Sequence, residues 1–257
     1  MFRQTYYFGN DVTYHEVPSI YPYIESYFEI SNPKQKTIMT IPDCCYELHF
    51  FYDENLTYIA GTSLRGRELK IPITSRCFGI RFQPMVAPMY FKHALHEIID
   101  SNYEITHLHP FDTILRSLHA AATFEERIDR FNQSFFYNTS DYQMHPLINH
   151  MIQKIQKKNF DIKVIDMIKD SGYSQRQIRR IFKDNTGISI KFFLNVSRIQ
   201  QAIYLLKYGN IHTITDLAGA LGFYDQAHFN HIFKEFTCRN PSAFLSTTPI
   251  TQDNCNC

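Results

Sequence analysis

Several absences narrow the class of this chain before any motif is read. Its formal net charge is only +1 over 257 residues, so it has no overall excess of either sign to advertise a partner. The six cysteines, Cys44, Cys45, Cys77, Cys238, Cys255 and Cys257, include no Cys-x-x-Cys pair. That spacing suits neither a disulfide framework nor a zinc site. His96 and Glu97 are adjacent but do not continue into His-Glu-x-x-His, which removes the metalloprotease signature. No apolar core follows Met1, and no run approaches about 18 apolar residues. These gaps predict a cytoplasmic protein with reduced thiols and no membrane partner.

What is present is globular: 44% of residues are hydrophobic and 20% charged. At this length two domains are the natural expectation. The near-zero net charge hides an asymmetry. Residues 1–144 hold 12 Lys and Arg against 17 Asp and Glu, whereas residues 145–257 hold 14 against 8. An acidic half joined to a basic half predicts that only the second faces a polyanion.

The first hundred residues read as β. Short aromatic and β-branched runs at Tyr27–Ile30, Tyr46–Phe51, Thr57–Ala60 and Cys77–Phe82 are separated by Pro-, Asp- and Gly-containing turns, a pattern that predicts a small barrel or sandwich. Around Ala87 the period changes to helical. Ile98 and Ile99, then Ile114, Leu115 and Leu118, then Phe124, Ile128, Phe131 and Phe135 mark amphipathic stretches. The last of these looks too apolar for a solvated helix, so it is expected either to make a homodimer contact or to pack on the barrel. Phe136–Asp141 is polar and turn-rich. The division that follows is a first domain at 1–139, a linker at 140–145 and a second domain at 146–249. From about Gln143 to Thr248 each helical face is expected to find its own partner, so this fragment should fold alone.

The C-terminal half contains a near-repeat. Residues 163–187 and 214–238 each run through a short helix, a Gly turn, a polar N-cap and a second helix containing Ile-Phe-Lys. In the first copy Val164, Met167 and Ile168 supply one apolar face, Gly172 the turn and Ser174 the cap. Ile178, Ile181 and Phe182 then face inward, leaving Arg176, Arg179, Arg180 and Lys183 outside. In the second copy Ile214, Leu217, Ala218 and Leu221 precede Gly222, Asp225 caps, and Phe229, Ile232, Phe233 and Phe236 face inward. Gln226, Ala227, His228, Asn230, His231 and Lys234 remain outside. A short helix, a tight turn and a second helix with a basic or amide-bearing outer face match a helix-turn-helix, whose second helix enters a major groove. Between the copies, Phe192–Leu206 carries apolar residues at helical spacing without a breaker. A helix of about 15 residues spans about 22 Å, enough with its flanking turns to hold two recognition helices near the groove repeat of about 34 Å.

These residues resemble the AraC/XylS family of bacterial transcription regulators. The match runs from Ile214-Thr215-Asp216-Leu217-Ala218 through Gly222-Phe223, Phe229 and Phe233-Lys234 to Pro241-Ser242-Ala243-Phe244. The first copy adds Ser174, Arg176, Arg180, Phe182-Lys183, Gly187, Arg198, Ala202 and Leu206. Ile168, Ile190, Ala227, His231 and Cys238 depart from the family pattern, standing for its usual Ala, Pro, Ser, Arg and Gly. The resemblance implies base-edge contacts from Arg176, Arg179 and Arg180 and from Gln226, Ala227, His228 and His231. It places Ser174, Gln175, Asp225 and Asn230 at the same helix starts and faces, with Lys183, Lys191 and Lys234 on phosphates. More loosely, Tyr23–Phe28, Ile41–Leu48 and Gly79–Pro84 are similar to the cupin-like sensor domain of one branch of the family. The implied fold is α+β: a small N-terminal cupin-like β-barrel with following helices, then an all-α domain with two helix-turn-helix units. The implied function is activation of transcription on double-stranded DNA, with RNA polymerase as partner and a small-molecule effector or a homodimer as further options.

Other classes fit less well. His93-x-x-His96 and His107-x-His109 have ligand-like spacing, but no Cys or carboxylate set completes them, so no metal, cofactor or catalytic residue is expected. A zinc-cysteine DNA-repair methyl acceptor fused to the same domain needs four clustered cysteines, and Cys44, Cys45 and Cys77 do not supply them. A partner-binding protein with reduced DNA binding is the remaining alternative.

Overall fold

The computed structural model describes residues 13–21, 23–31, 37–51, 56–70, 76–83, 98–104, 111–137, 145–157, 166, 171–209, 211 and 213–242. The N-terminal strands are β1 (Thr13–Pro18), β2 (Ile24–Ser31), β3 (Thr37–Thr40), β4 (Tyr46–Phe51), β5 (Leu56–Ala60), β6 (Arg67–Lys70), β7 (Cys77–Phe82) and β8 (Asn102–Glu104). Six form one antiparallel sheet in the order β1-β2-β7-β4-β5-β8, and β3 pairs with β6 in a separate ribbon. All six residues of β7 are buried, as a strand sandwiched near the middle of a covered sheet requires.

Helices α1 (Phe111–His119) and α2 (Phe124–Tyr137) cover one face. Ile114 and Leu118 from α1, and Phe124, Phe131 and Phe135 from α2, pack with Tyr46, Leu48, Phe50, Phe78, Ile80 and Phe82. Phe135 stacks on Phe82 at a centroid distance of 5.5 Å. Phe131 and Phe135 are fully buried in this way, so the apolar stripe serves the fold of the chain itself. The dimer option for that stripe loses its motivation.

The expected closed barrel is corrected by the sheet order. β1 and β8 are its two edges and do not pair with each other, so the described strands form an open sheet. Closure needs the edge strands to meet. Here β8 is only three residues long, and one face is covered by helices rather than by further strands.

The C-terminal helices are α3 (Pro146–Lys157), α4 (Gln175–Thr186), α5 (Ile190–Tyr208), α6 (Ile214–Ala220) and α7 (Gln226–Thr237). They surround α5, whose Phe193, Val196, Ile199, Ala202 and Ile203 form the centre of one cluster. Leu147, Ile148 and Met151 of α3, Ile178 and Phe182 of α4, Leu217 of α6 and Phe229, Phe233 and Phe236 of α7 join it. At 19 residues, α5 is longer than the sequence pattern indicated, and reaches about 28 Å at 1.5 Å per residue. Its start explains one departure from the family pattern. Ser189 caps the helix and accepts from the Phe192 amide, so Ile190 stands at the first helical position, the one place where Pro fits equally well.

The same cluster includes Ile41, Cys44 and Cys45 from the turn before β4. The helical unit therefore does not find all its partners within itself, contrary to the expectation for a fragment from residue 143 onward. Of the first copy's leading helix only Asp166 lies among the described residues. Val164, Met167 and Ile168, the linker residues 140–144, His93, His96, His107 and His109 lie outside them.

Candidate nucleic-acid interface

Helix α4 begins with a reciprocal capping box. The Gln177 amide donates to Ser174 Oγ at 3.3 Å, and the Ser174 amide donates to Gln177 Oε1 at 2.9 Å. Both satisfy donors that a helix start leaves open. Ile178 and Phe182 are fully buried, with Ile181 packed beside them. Ser174, Gln175, Arg176, Arg179, Arg180 and Lys183 are all exposed. At about 100° per residue, Arg176, Arg179, Arg180 and Lys183 fall within about 100° of arc, opposite the buried side. The structure thus brings the four predicted cations onto one stripe.

Helix α7 is reached from α6 through Gly222, which holds φ at 69°. This left-handed conformation costs a residue with a Cβ about 1 kcal/mol. Asp225 caps α7, its Oδ1 accepting from the His228 amide at 2.7 Å. Phe229 and Phe233 are fully buried, while Asp225, Gln226, Ala227, His231 and Lys234 are exposed. Helical geometry sets Gln226, Ala227, Asn230, His231 and Lys234 along one side. His228 is set apart: it is half-buried, its ring lying edge-on to Phe223 at 5.5 Å, and its Nδ1 is buried with no hydrogen-bond partner among the described residues. Asn230 is also half-buried, with Oδ1 in the same condition.

Sequence reasoning gave Thr215 no role beyond its place in the family pattern. Its Oγ donates to Gln226 Oε1 at 2.7 Å, which orients the carboxamide. It also left Arg198, matched only as part of the family pattern, without a role; its guanidinium lies 5.7 Å from the Phe223 ring and ties α5 to the turn before α7. Neither had a signal at short range, since the partners are 11 and 25 positions away. Cys238 ends α7 with φ at 59°, so the residue standing for the family's usual Gly adopts the glycine-favoured conformation at a cost.

A second concentration of charge lies in the sheet. Arg81 is fully buried, bonded to Glu16 at 2.7 Å and Glu47 at 2.8 Å, with Asp43 at 3.7 Å and the Phe28 ring at 5.3 Å. Burial, reinforced by the neighbouring Glu47 and opposed by Arg81, pushes the Asp43 carboxyl up to about 7. This is a sealed ion cluster rather than an accessible site. Cys44 and Cys45 lie in the helical core and Cys77 in a patch on the sheet, so the three do not form one ligand set. Among the described residues no group of His, Cys, Asp and Glu is placed to hold a metal, and no helix is long and apolar enough to cross a membrane.

Capped helices with outward-facing cationic and amide-bearing stripes are what a helix-turn-helix unit requires. Comparison with known proteins specifies it. Residues 167–247 match the family described as helix-turn-helix domain, and residues 13–104 match a domain of unknown function (DUF6597). An uncharacterised HTH-type transcriptional regulator of Staphylococcus aureus is 31% identical over 94 residues, which cover 37% of this chain and 12% of that protein. The HTH-type transcriptional activator RhaR of Pectobacterium carotovorum is 36% identical over 72 residues, 28% of this chain and 25% of that protein. The chain therefore spans only a small part of these relatives. Among solved structures, the C-terminal domain of AraT, a response regulator from Geobacillus stearothermophilus, has a TM-score of 0.39 at 24% identity, covering 43% of this chain and 93% of that one. Residues 167–247 therefore carry a helix-turn-helix domain of the AraC type.

Proposed function

We propose that the chain is a sequence-specific transcription regulator that sets α4 and α7 into successive major grooves of double-stranded DNA. The observation that carries this reading is the matched construction of the two helices. Each is capped by a short polar side chain, buried on one side by Ile or Phe and exposed along a stripe that can meet base edges and phosphates. Residues 146–249 are the DNA-binding domain in this reading, with two helix-turn-helix units, and residues 1–139 are its cytoplasmic sensor, cupin-like in origin. Ser174 and Gln175 stand at the start of one reading helix and Asp225 at the other. Arg176, Arg179 and Arg180 read bases from α4, while Gln226, Ala227 and His231 read from α7, with Asn230 and His228 at the margin. Lys183, Lys191 and Lys234 meet phosphates. Activation through RNA polymerase, a small-molecule effector and a homodimer belong to the same proposal and rest on the family alone.

Selection of duplexes from a random pool, followed by footprinting, tests it. Replacing Arg179 or Arg180 by Ala should cost about 1–3 kcal/mol and relax preference at one base pair. Lys183→Ala should weaken all duplexes evenly and lower the salt slope by about one. Retention of full affinity after Arg176, Arg179 and Arg180 are all replaced by Ala would sink the reading.

A further inference from the structure

The two reading helices end against the N-terminal unit. A helix leaves its last carbonyls without intrahelical donors, and here donors from the sheet unit reach both ends. At α4, the Tyr46 hydroxyl donates to the Thr186 carbonyl at 2.8 Å. Tyr46 and Ile99 press against Gly187, the residue that turns the chain out of that helix, each coming within 2.8 Å of where a Cβ would stand. At α7, the Gly66 amide donates to the Glu235 carbonyl at 3.0 Å, and Cys238 Sγ donates back to the Gly66 carbonyl at 3.2 Å. Between them, Gln200 of α5 donates through Nε2 to the Pro42 carbonyl at 2.9 Å. Ile41, Cys44 and Cys45 fill the space below as part of the helical core.

The turn that makes these contacts is itself braced. The Cys44 amide donates to Thr62 Oγ at 3.1 Å, and the Cys45 amide donates to Asp43 Oδ1 at 2.9 Å. Asp43 in turn faces Arg81. One hydrogen-bonded pair of turns, with Ile99, thus touches α4, α5 and α7 together. It does so at the far ends of the reading helices, because the capped starts and the cationic stripe of α4 stay exposed.

We propose that residues 41–46, 62–66 and Ile99 form a docking surface for the chain's own DNA-binding unit, and that its task is to hold α4 and α7 at a fixed separation. The partner is this chain's α4, α5 and α7, recognised by unsatisfied helix-end carbonyls and an apolar core. The seam neither masks the reading faces nor depends on the linker. It makes the spacing of the two readers a property of the sheet unit. This rests on the DNA-binding reading above. Two binding elements on one body gain from each other only while their separation matches the two sites.

The test uses the full chain. Gly66→Ala is the first variant, because a Cβ there would stand 2.5 Å from the Phe236 carbonyl oxygen and wedge the seam without touching a reading residue. Tyr46→Phe is the second. It keeps the ring and removes only the donor, so it decides the matter if the first variant fails to fold. Hydrogen exchange at the segment containing Gly66 reports seam opening. Binding is read on a duplex selected by the unaltered chain and on the same duplex cut to one groove segment. Faster exchange with a loss of about tenfold or more on the full duplex, and less than about twofold on the half duplex, is the expected result. Faster exchange with unchanged affinity for the full duplex, or equal losses on both duplexes, overturns the proposal. So does an unaltered chain that binds duplex while its Gly66 amide exchanges freely, and that outcome leaves the DNA-binding reading standing. A chain that selects no duplex ends both, whatever the exchange shows.

Discussion

Asp43→Asn should flatten the pH dependence of stability. The Asp43 carboxyl is buried beside Glu47 and Arg81, and its pKa rises from 3.8 to about 7. An acid whose folded pKa lies above its unfolded value holds its proton in the fold after the unfolded chain has released it. Its contribution to stability is therefore whole below about pH 4, falls as pH rises, and is gone above about pH 7. At about 1.4 kcal/mol per pKa unit, a rise of about three units sets a ceiling of about 4 kcal/mol. Glu47 and Arg81 titrate in the same cluster, so the expected difference is about 2–4 kcal/mol. Asn keeps an acceptor for the Cys45 amide and never ionises, while Arg81 keeps Glu16 and Glu47. Urea unfolding of both chains, followed by circular dichroism and tyrosine fluorescence, should be run from pH 4.5 to 8. The Asn variant should gain on the parent by that amount across the range. Curves that stay parallel would refute the reasoning, because they would show that Asp43 is ionised throughout and solvated in the fold.

Three further outcomes follow from the same contacts. Arg81→Leu strands Glu16, Glu47 and Asp43 without their cation and should cost about 3–5 kcal/mol in urea unfolding; a cost below about 1 kcal/mol would mean that water already reaches the cluster. Cys238→Gly removes the penalty of a left-handed residue at the end of α7, worth about 0.5–1 kcal/mol, but also the Sγ bond to the Gly66 carbonyl; the midpoint should rise by less than that amount, and a fall would show that the seam bond outweighs the strain. Asp225→Ala removes the cap of α7 and should cost about 1 kcal/mol, with faster amide exchange at His228 as its local signature.

Much of the helical unit was legible because its determinants are local. Ser174 and Asp225 cap the helices that their spacing announced, and Ile178, Phe182, Phe229 and Phe233 are buried where a 3.6-residue period puts them. A cap needs partners only two or three residues away, and a helix face is periodic along the chain itself. The same reasoning placed β2, β4, β5 and β7, whose aromatic and β-branched runs are dense. It passed over β1, β3, β6 and β8, and it expected a closed barrel.

Tertiary structure decided the rest. Whether a sheet closes depends on which strands become its edges, and the pairing of β5 with β8 spans more than 40 positions. The stripe of Phe131 and Phe135 could have met a second chain or the sheet, since hydrophobic burial has no direction; the positions of Tyr27, Phe82 and their neighbours on the sheet selected the latter. Asp43 looked like a turn residue, Gly66 like a loop residue and Tyr46 like a strand aromatic. Each acquires its role from a group between 38 and 170 positions away, Arg81, Thr186 or Glu235. Local pattern determined that two helices would present polar faces to solvent, because that information lies within a few turns of chain. Where those faces stand relative to one another rests on hydrogen bonds between distant segments, which only the folded chain brings within 3 Å.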